Sequence, residues 1–173
     1  MNWKKFILPT LLVIPLVYCL YCCFFITNQT TVILVRHADK IENTDQLSAA
    51  GLIRAEDLKR TLIDTDITAI FASQYNRTQA TANPLATEKG IALTLYDTND
   101  LQQLVNTIKN NHNGQVVLVV GHSNTVPETI GLLGINPQPP DIPETEYDHL
   151  YILMMHSKAH ERVMKLKYGE PSP

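Results

Sequence analysis

The chain has 173 residues, of which 45% are hydrophobic and 18% charged, with a net charge of −3; this fits one ordinary domain and excludes a disordered or acidic-tail protein. Lys4 and Lys5 are the only charges before residue 31, so the rest of the chain is more acidic still. That balance argues against a nucleic-acid partner, whose phosphates ask for a basic surface, and leaves room for a phosphate ester, which needs only a local cluster of cations.

The segment Phe6 to Ile26 carries no charge and is rich in Leu, Ile, Val and Phe. As a helix it is long enough for a bilayer core of about 30 Å. Lys4 and Lys5 precede it, and no basic residue follows until Arg36. The positive-inside tendency then predicts an N-terminus in the cytoplasm and a single-pass protein whose folded part is extracytoplasmic, held to the membrane through residues 6–26. Residues 1–30 are read as a signal anchor and 31–173 as the domain. A cleaved signal peptide is the alternative, but Tyr18, Tyr21 and the Cys22-Cys23-Phe24-Phe25 run offer no small-residue cleavage site. All three cysteines lie in this stretch, so residues 31–173 can hold neither a disulfide framework nor a cysteine-ligated zinc ion.

Beyond it, short apolar runs alternate with amphipathic ones. Thr31–Val35 reads as a strand ending at Arg36. Leu47 to Ile63 places Leu52, Ala55, Leu58 and Leu62 at helical spacing, with Ser48 as N-cap and Leu47 and Leu52 as a hydrophobic staple. Ile67–Ala72 is a second strand. Arg77 to Lys89 is a helix stopped by Gly90 and interrupted by Pro84, which predicts an irregular first turn. Ile91–Tyr96 is a third strand, Leu101 to Asn111 a helix, Gln115–Val120 a very apolar strand, and Thr125 to Leu133 a helix. Asn136–Tyr147, with four prolines and three acids, is a loop. His149–Met155 and Arg162–Tyr168 alternate like an antiparallel hairpin.

This β-α-β-α order predicts a three-layer α/β/α sandwich on a mostly parallel sheet, with ligands beyond the carboxyl ends of the strands. There the chain places Arg36-His37-Ala38 after the first strand, Ser73 and Arg77-Thr78 after the second, and Gly121-His122-Ser123-Asn124 after the fourth. Two arginines and two histidines at one sheet edge make a cationic pocket of phosphoryl size, since guanidinium forks bind phosphate oxygens bidentately. Each residue alone is better explained by structure than by chemistry; the coincidence of all four is not.

These pieces carry a resemblance. Val35-Arg36-His37-Ala38, Leu47-Ser48-Ala49-Ala50-Gly51, Ser73 with Arg77-Thr78 and Thr81-Ala82, and Gly121-His122-Ser123 resemble the histidine phosphatase superfamily, the phosphoglycerate-mutase-like proteins. The likeness is to the branch without an acid directly after the second histidine, where Ser123 stands here. Ala38 takes the place of the family's usual glycine. The resemblance implies that His37 is the nucleophile and forms a phosphohistidine, while Arg36, Arg77 and His122 hold the non-bridging oxygens, without metal or other cofactor. It also implies a carboxylic acid that protonates the leaving oxygen. Asp100 is the preferred candidate, with Asp97 and Asp39 as alternatives; Asp100 capping the next helix, Asp97 facing Arg77, and Asp39 pairing with Lys40 or Arg77 are the structural explanations. The absence of a long insertion around the third strand favours hydrolysis of a small phosphomonoester over mutase chemistry. An inactive phosphate-binding scaffold and a phosphohistidine protein phosphatase are the rival functions.

Overall fold

The computed structural model describes residues 29–155 and 162–172, with Pro15, Val17 and Tyr18. Its centre is two strands, β1 (Thr30–Arg36) and β4 (Val116–Gly121), that pair in parallel from Thr31 opposite Val116 to Arg36 opposite Gly121. Both are near-continuously apolar because both faces are covered. Val32, Leu34, Val117 and Val119 point into one core, and Ile33, Val35, Leu118 and Val120 into the other.

Around this pair the sheet is built in the order β3-β2-β4-β1-β5-β6. β2 (Ile67–Ser73) lies parallel to β4, and β3 (Leu93–Tyr96) parallel to β2. On the other side β5 (His149–Met155) runs antiparallel to β1, and β6 (Arg162–Lys167) antiparallel to β5. Helices α1 (Ala49–Leu62) and α2 (Asn76–Lys89) cover one face through Leu58, Leu62, Ala82 and Leu85. Helices α3 (Leu101–Asn111) and α4 (Thr125–Leu132) cover the other through Leu104, Ile108, Val126 and Ile130. The expected three-layer sandwich on a mostly parallel sheet is what the described residues form.

Neighbouring strands β1 and β4 therefore send the chain to opposite faces, β1 to α1 and β4 to α4. The diverging connections open a crevice at their carboxyl ends, where doubly wound sheets bind ligands.

Local chemistry explains most element boundaries. Ser48 caps α1 by accepting the Gly51 N–H at 3.1 Å. The staple expected between Leu47 and Leu52 does not form: Leu47 is buried against Ala38 and Ala55, while Leu52 points to solvent. Gly90 ends α2 in the left-handed conformation, φ 64°, that glycine adopts without a Cβ penalty. Pro84 does not disturb the first turn of α2, which is continuous from Asn76. A proline here removes only the one N–H that would reach Ala80, and buried Ala82, Leu85 and Ala86 on either side hold the helix to the sheet.

The membrane location is corrected. Among the described residues no helix is long and apolar enough to cross a membrane. The 6–26 run on which the single-pass, extracytoplasmic expectation rested lies, apart from Pro15, Val17 and Tyr18, outside the described residues.

Gly51 shows how closely α1 is set against the segment that follows His37. A Cβ on Gly51 would stand 2.0 Å from the Asp39 carbonyl oxygen, which already accepts the Ser48 N–H at 2.9 Å. Backbone on both sides leaves no flexible atom to yield. Gly51→Ala is expected to cost about 1–3 kcal/mol, as overpacking does, read as a lowered urea midpoint at unchanged slope.

Candidate active site

The carboxyl ends of β1, β2 and β4 bring Arg36, His37, Arg77 and His122 around one cavity of about 320 Å³, which Lys40, Tyr75, Thr98, Asn99, Ser123, Asn124, Thr125 and Glu144 complete. Thus the sequence-predicted pair of arginines and pair of histidines do converge.

His37 continues the β1 ladder by one bond, its N–H donating to the Gly121 carbonyl at 2.9 Å. Its ring is buried, with Nδ1 2.8 Å from the Ala38 carbonyl oxygen. A carbonyl only accepts, so Nδ1 carries the hydrogen and Nε2 keeps its lone pair. Burial first of all, reinforced by the charges of Arg36, His122 and Arg77 and opposed by the Ala38 carbonyl, lowers the His37 pKa to about 3. Neutral His37 with a free Nε2 is the state a nucleophile needs. Ala38 fits where the resemblance expects glycine because its methyl is buried beside Leu47 and Ala55, while its N–H donates to Thr81 Oγ1 at 2.9 Å.

The tautomer of His122 is fixed from the opposite side. Arg77 Nη2 can only donate, and it lies 3.2 Å from His122 Nδ1. Nδ1 therefore accepts, and Nε2–H donates to Ser73 Oγ at 2.9 Å. Ser73 passes its own hydrogen to Thr78 Oγ1 at 2.8 Å, and Thr78 donates to the Tyr75 carbonyl at 2.7 Å. This relay leaves every hydroxyl with one donor and one acceptor role. Burial, then Arg77 and Arg36, lower the His122 pKa to about 4, against Asp45 and Glu144. The histidine ring centroids stand 5.4 Å apart.

Gly121 allows the close turn that delivers His122. A Cβ there would lie 2.9 Å from both Thr125 Oγ1 and the Tyr96 hydroxyl. Thr125 Oγ1 accepts the His122 N–H at 2.9 Å.

The two arginines are anchored by residues far away in sequence. Arg77 Nη1 donates to Asp45 Oδ1 at 2.7 Å, and Asp45 also accepts the Asn76 N–H at 2.9 Å, capping α2 from a distant loop. Arg36 is 1% exposed. Its Nη1 donates to the carbonyls of Pro143 at 2.8 Å and Glu146 at 3.0 Å, its Nη2 to Glu144 Oε2 at 2.6 Å, and its guanidinium carbon lies 4.2 Å from the Tyr147 ring centre. Both arginines keep a buried Nε–H with no acceptor among the described residues.

The three acids proposed from sequence do not line this cavity. Asp100 Oδ1 caps α3 by accepting the Gln103 N–H at 3.0 Å. Asp97 Oδ1 is occupied with the backbone and side-chain amides of Asn99, both at 2.9 Å, and Asp45 has the place beside Arg77. Asp39 pairs at 2.6 Å with buried Arg54, rather than with Lys40 or Arg77. Glu144 is the carboxylate that does line the cavity, and it was seen in the sequence only as one of the acids of a loop. Its Oε1 accepts from Ser123 Oγ at 2.6 Å. The Ser123 bond, then Arg36, hold its pKa below the usual carboxylate range, with burial in opposition. The sequence signal available was weak: the Asn136–Tyr147 loop bordering the site.

For metals, one group among the described residues brings ligand atoms together, Glu146, Asp148 and His149, all within 4.8 Å. It lies outside this cavity, and Asp148 Oδ2 already accepts from Lys167 Nζ at 3.0 Å and the Ser172 N–H at 3.1 Å.

Comparison with known proteins bears on the family and the fold. The model of the histidine phosphatase superfamily (branch 1) matches residues 32–102. The fold is similar to the protein histidine phosphatase SixA in complex with tungstate (14% identity, 79% of this chain and 96% of that one, TM-score 0.64). It is also similar to the alpha-ribazole phosphatase of Shigella flexneri (15%, 79% and 96%, TM-score 0.63) and to a mycobacterial glucosyl-3-phosphoglycerate phosphatase (11%, 82% and 100%, TM-score 0.62). A search of the curated proteins found no match.

The histidine environments set a pH dependence of stability. Both rings are held neutral in the fold, at pKa values lowered to about 3 and about 4, against about 6.5 in an unfolded chain. Below about pH 6.5 the unfolded chain binds protons that the folded one does not, so stability falls as pH drops from about 6.5 toward about 4. Urea midpoints measured across that range should decline for the wild type and flatten for His37→Asn and His122→Asn.

Proposed function

We propose that this chain is a phosphomonoester hydrolase that works through a phosphohistidine on His37 Nε2. The observation that carries the reading is the His37 tautomer: a buried neutral ring with Nδ1–H committed to the Ala38 carbonyl and Nε2 unprotonated at a cavity that two arginines line. A phosphate seated there would present its oxygens to Arg36, Arg77 and His122, and phosphorus to Nε2.

Each group then has one task. Arg36 and Arg77 hold non-bridging oxygens and follow their charge as it redistributes, from positions fixed before substrate arrives. His122, whose Nδ1 accepts from Arg77, must gain a proton there to face a phosphate oxygen, and Ser73 keeps its ring oriented meanwhile. Phosphate binding is thus coupled to proton uptake by His122, or to selection of the phosphate monoanion. The mechanism asks for no metal.

The relatives support hydrolytic removal of a phosphoryl group and do not choose the substrate. They are named for a phosphorylated protein histidine, for alpha-ribazole and for glucosyl-3-phosphoglycerate; the element common to all three is the phosphoryl group, which the four residues above would read. A scaffold that only bound phosphate would have no use for a buried histidine with its nucleophilic nitrogen kept free.

The test is hydrolysis of a panel of alkyl, aryl and histidine-linked phosphates by the purified protein, with and without EDTA. Turnover is expected to survive EDTA, to vanish in His37→Ala, and to fall on the order of 10²–10³ in Arg36→Ala and Arg77→Ala. Rapid quench of the wild type should trap an acid-labile, base-stable phosphoenzyme. Turnover retained in His37→Ala would remove this mechanism.

A further inference from the structure

We propose that Glu144 is the acid of this site, protonating the leaving oxygen when phosphate transfers to His37. The assignment rests on the phosphohistidine reading above and deepens it.

The first ground is exclusivity. Among the residues that line the cavity, Glu144 is the one carboxylic acid. Asp39, Asp97 and Asp100 spend their oxygens on Arg54, Asn99 and the α3 N-terminus.

The second ground is how Glu144 is mounted. Arg36 Nη1 grips the carbonyls of Pro143 and Glu146, one residue before and two after it. The backbone of this strap is therefore tied to the same buried cation that would hold phosphate. The Glu144 side chain, by contrast, is 73% exposed. A fixed backbone with a free carboxylate allows a swing of one side chain without opening the loop.

The third ground is what phosphate does to its present partners. Glu144 sits on Arg36 Nη2 and Ser123 Oγ, both at 2.6 Å. A phosphoryl oxygen that takes Arg36 Nη2 removes the cation from the carboxylate and places an anion next to it. Both changes raise its affinity for a proton. Substrate thereby converts Glu144 from a counter-ion into an acid, and Ser123 Oγ remains to orient it.

The step balances as follows. The His37 Nε2 lone pair forms the N–P bond while the P–O bond to the leaving group breaks, and its oxygen takes the Glu144 proton. The products are an alcohol, phosphohistidine and the Glu144 carboxylate. In the second step water attacks phosphorus and gives a proton to Glu144 as the N–P bond breaks. Inorganic phosphate leaves, and His37 and the acid are restored.

The experiment measures single-turnover formation of the phosphoenzyme by the full chain from an alkyl phosphate and from an activated aryl phosphate. Glu144→Gln should slow the alkyl reaction by about 10²–10⁴, the range of general acid catalysis, and the aryl reaction by less than tenfold. Glu144→Asp should recover part of the alkyl rate; both variants should fold, since Arg36 Nη1 keeps the Pro143 and Glu146 carbonyls, with Glu144→Gln melting below the wild type because buried Arg36 loses its carboxylate. Equal losses on the two substrates, or a faster reaction in Glu144→Gln, would overturn the role of Glu144 while leaving His37 in place. Failure of the wild type to form phosphohistidine from either substrate would overturn the hydrolase reading and this role with it. Asp100→Ala is the control: it should lower stability by about 1 kcal/mol through the lost cap on the Gln103 N–H and leave the alkyl-to-aryl ratio unchanged.

Discussion

The guanidinium of Arg36 is the feature on which the site depends. It stands at the end of β1, buried, in a place where an unpaired cation would be costly. Its solution is to collect acceptors from a segment more than a hundred residues away: two backbone carbonyls, a carboxylate and an aromatic face. The 143–147 loop is thus ordered by the cation as much as the cation is ordered by the loop. Asp148 extends the same logic, since its carbonyl accepts the Tyr168 N–H, and Tyr147 donates its N–H to Ser172 Oγ. The end of the chain is fastened to the strap that fastens Arg36.

The histidines impose the complementary constraint. A nucleophilic imidazole must be neutral, and the burial of these rings beside two cations favours that state twice over, through desolvation and through repulsion by Arg36 and Arg77. The expected cost is a loss of stability as the pH falls below about 6.5. Neither ring is free to choose its tautomer: a carbonyl sets His37 and an arginine sets His122, so the two rings present different nitrogens in fixed roles.

Much of this was legible in the sequence because it follows from local rules. The apolar runs of β1 and β4, the Ser48 cap and the Gly90 stop fix the elements, and the βα order fixes which ends share an edge. Arg36, His37, Arg77 and His122 fall within a few residues of those ends, so their meeting could be foreseen. What stayed hidden depends on partners brought together only by folding. Asp45 lies in a loop with no periodicity and serves α2 from outside; Arg54 sits on a helix face that reads as exposed until Asp39 is placed against it. Asp97 and Asp100 seemed available because their bonds to Asn99 and Gln103 compete with a functional role at the same spacing. Glu144 was masked by the prolines and acids around it: the sequence marks Asn136–Tyr147 as a loop bordering the site, and nothing local says which of its three acids turns toward Arg36.

Charge balance around the cavity gives the site its asymmetry. Each arginine has one carboxylate, but the two pairs differ in what else the carboxylate does. Asp45 also caps a helix through its other oxygen, so moving it off Arg77 would leave the Asn76 N–H unsatisfied. Glu144 has no backbone duty; it bonds to Ser123 Oγ and Arg36 and is otherwise in solvent. On the proposed function an entering anion would displace Glu144 and leave Asp45 in place. The Arg77 side of the pocket is the fixed wall, with Tyr75 stacked on the guanidinium, His122 hydrogen-bonded to it, and the two rings edge-on. The Arg36 side would exchange an internal anion for an external one. That exchange keeps the buried cation paired before and after binding, and it confines the change on binding to one exposed side chain, so the sheet edge that sets His37 need not move.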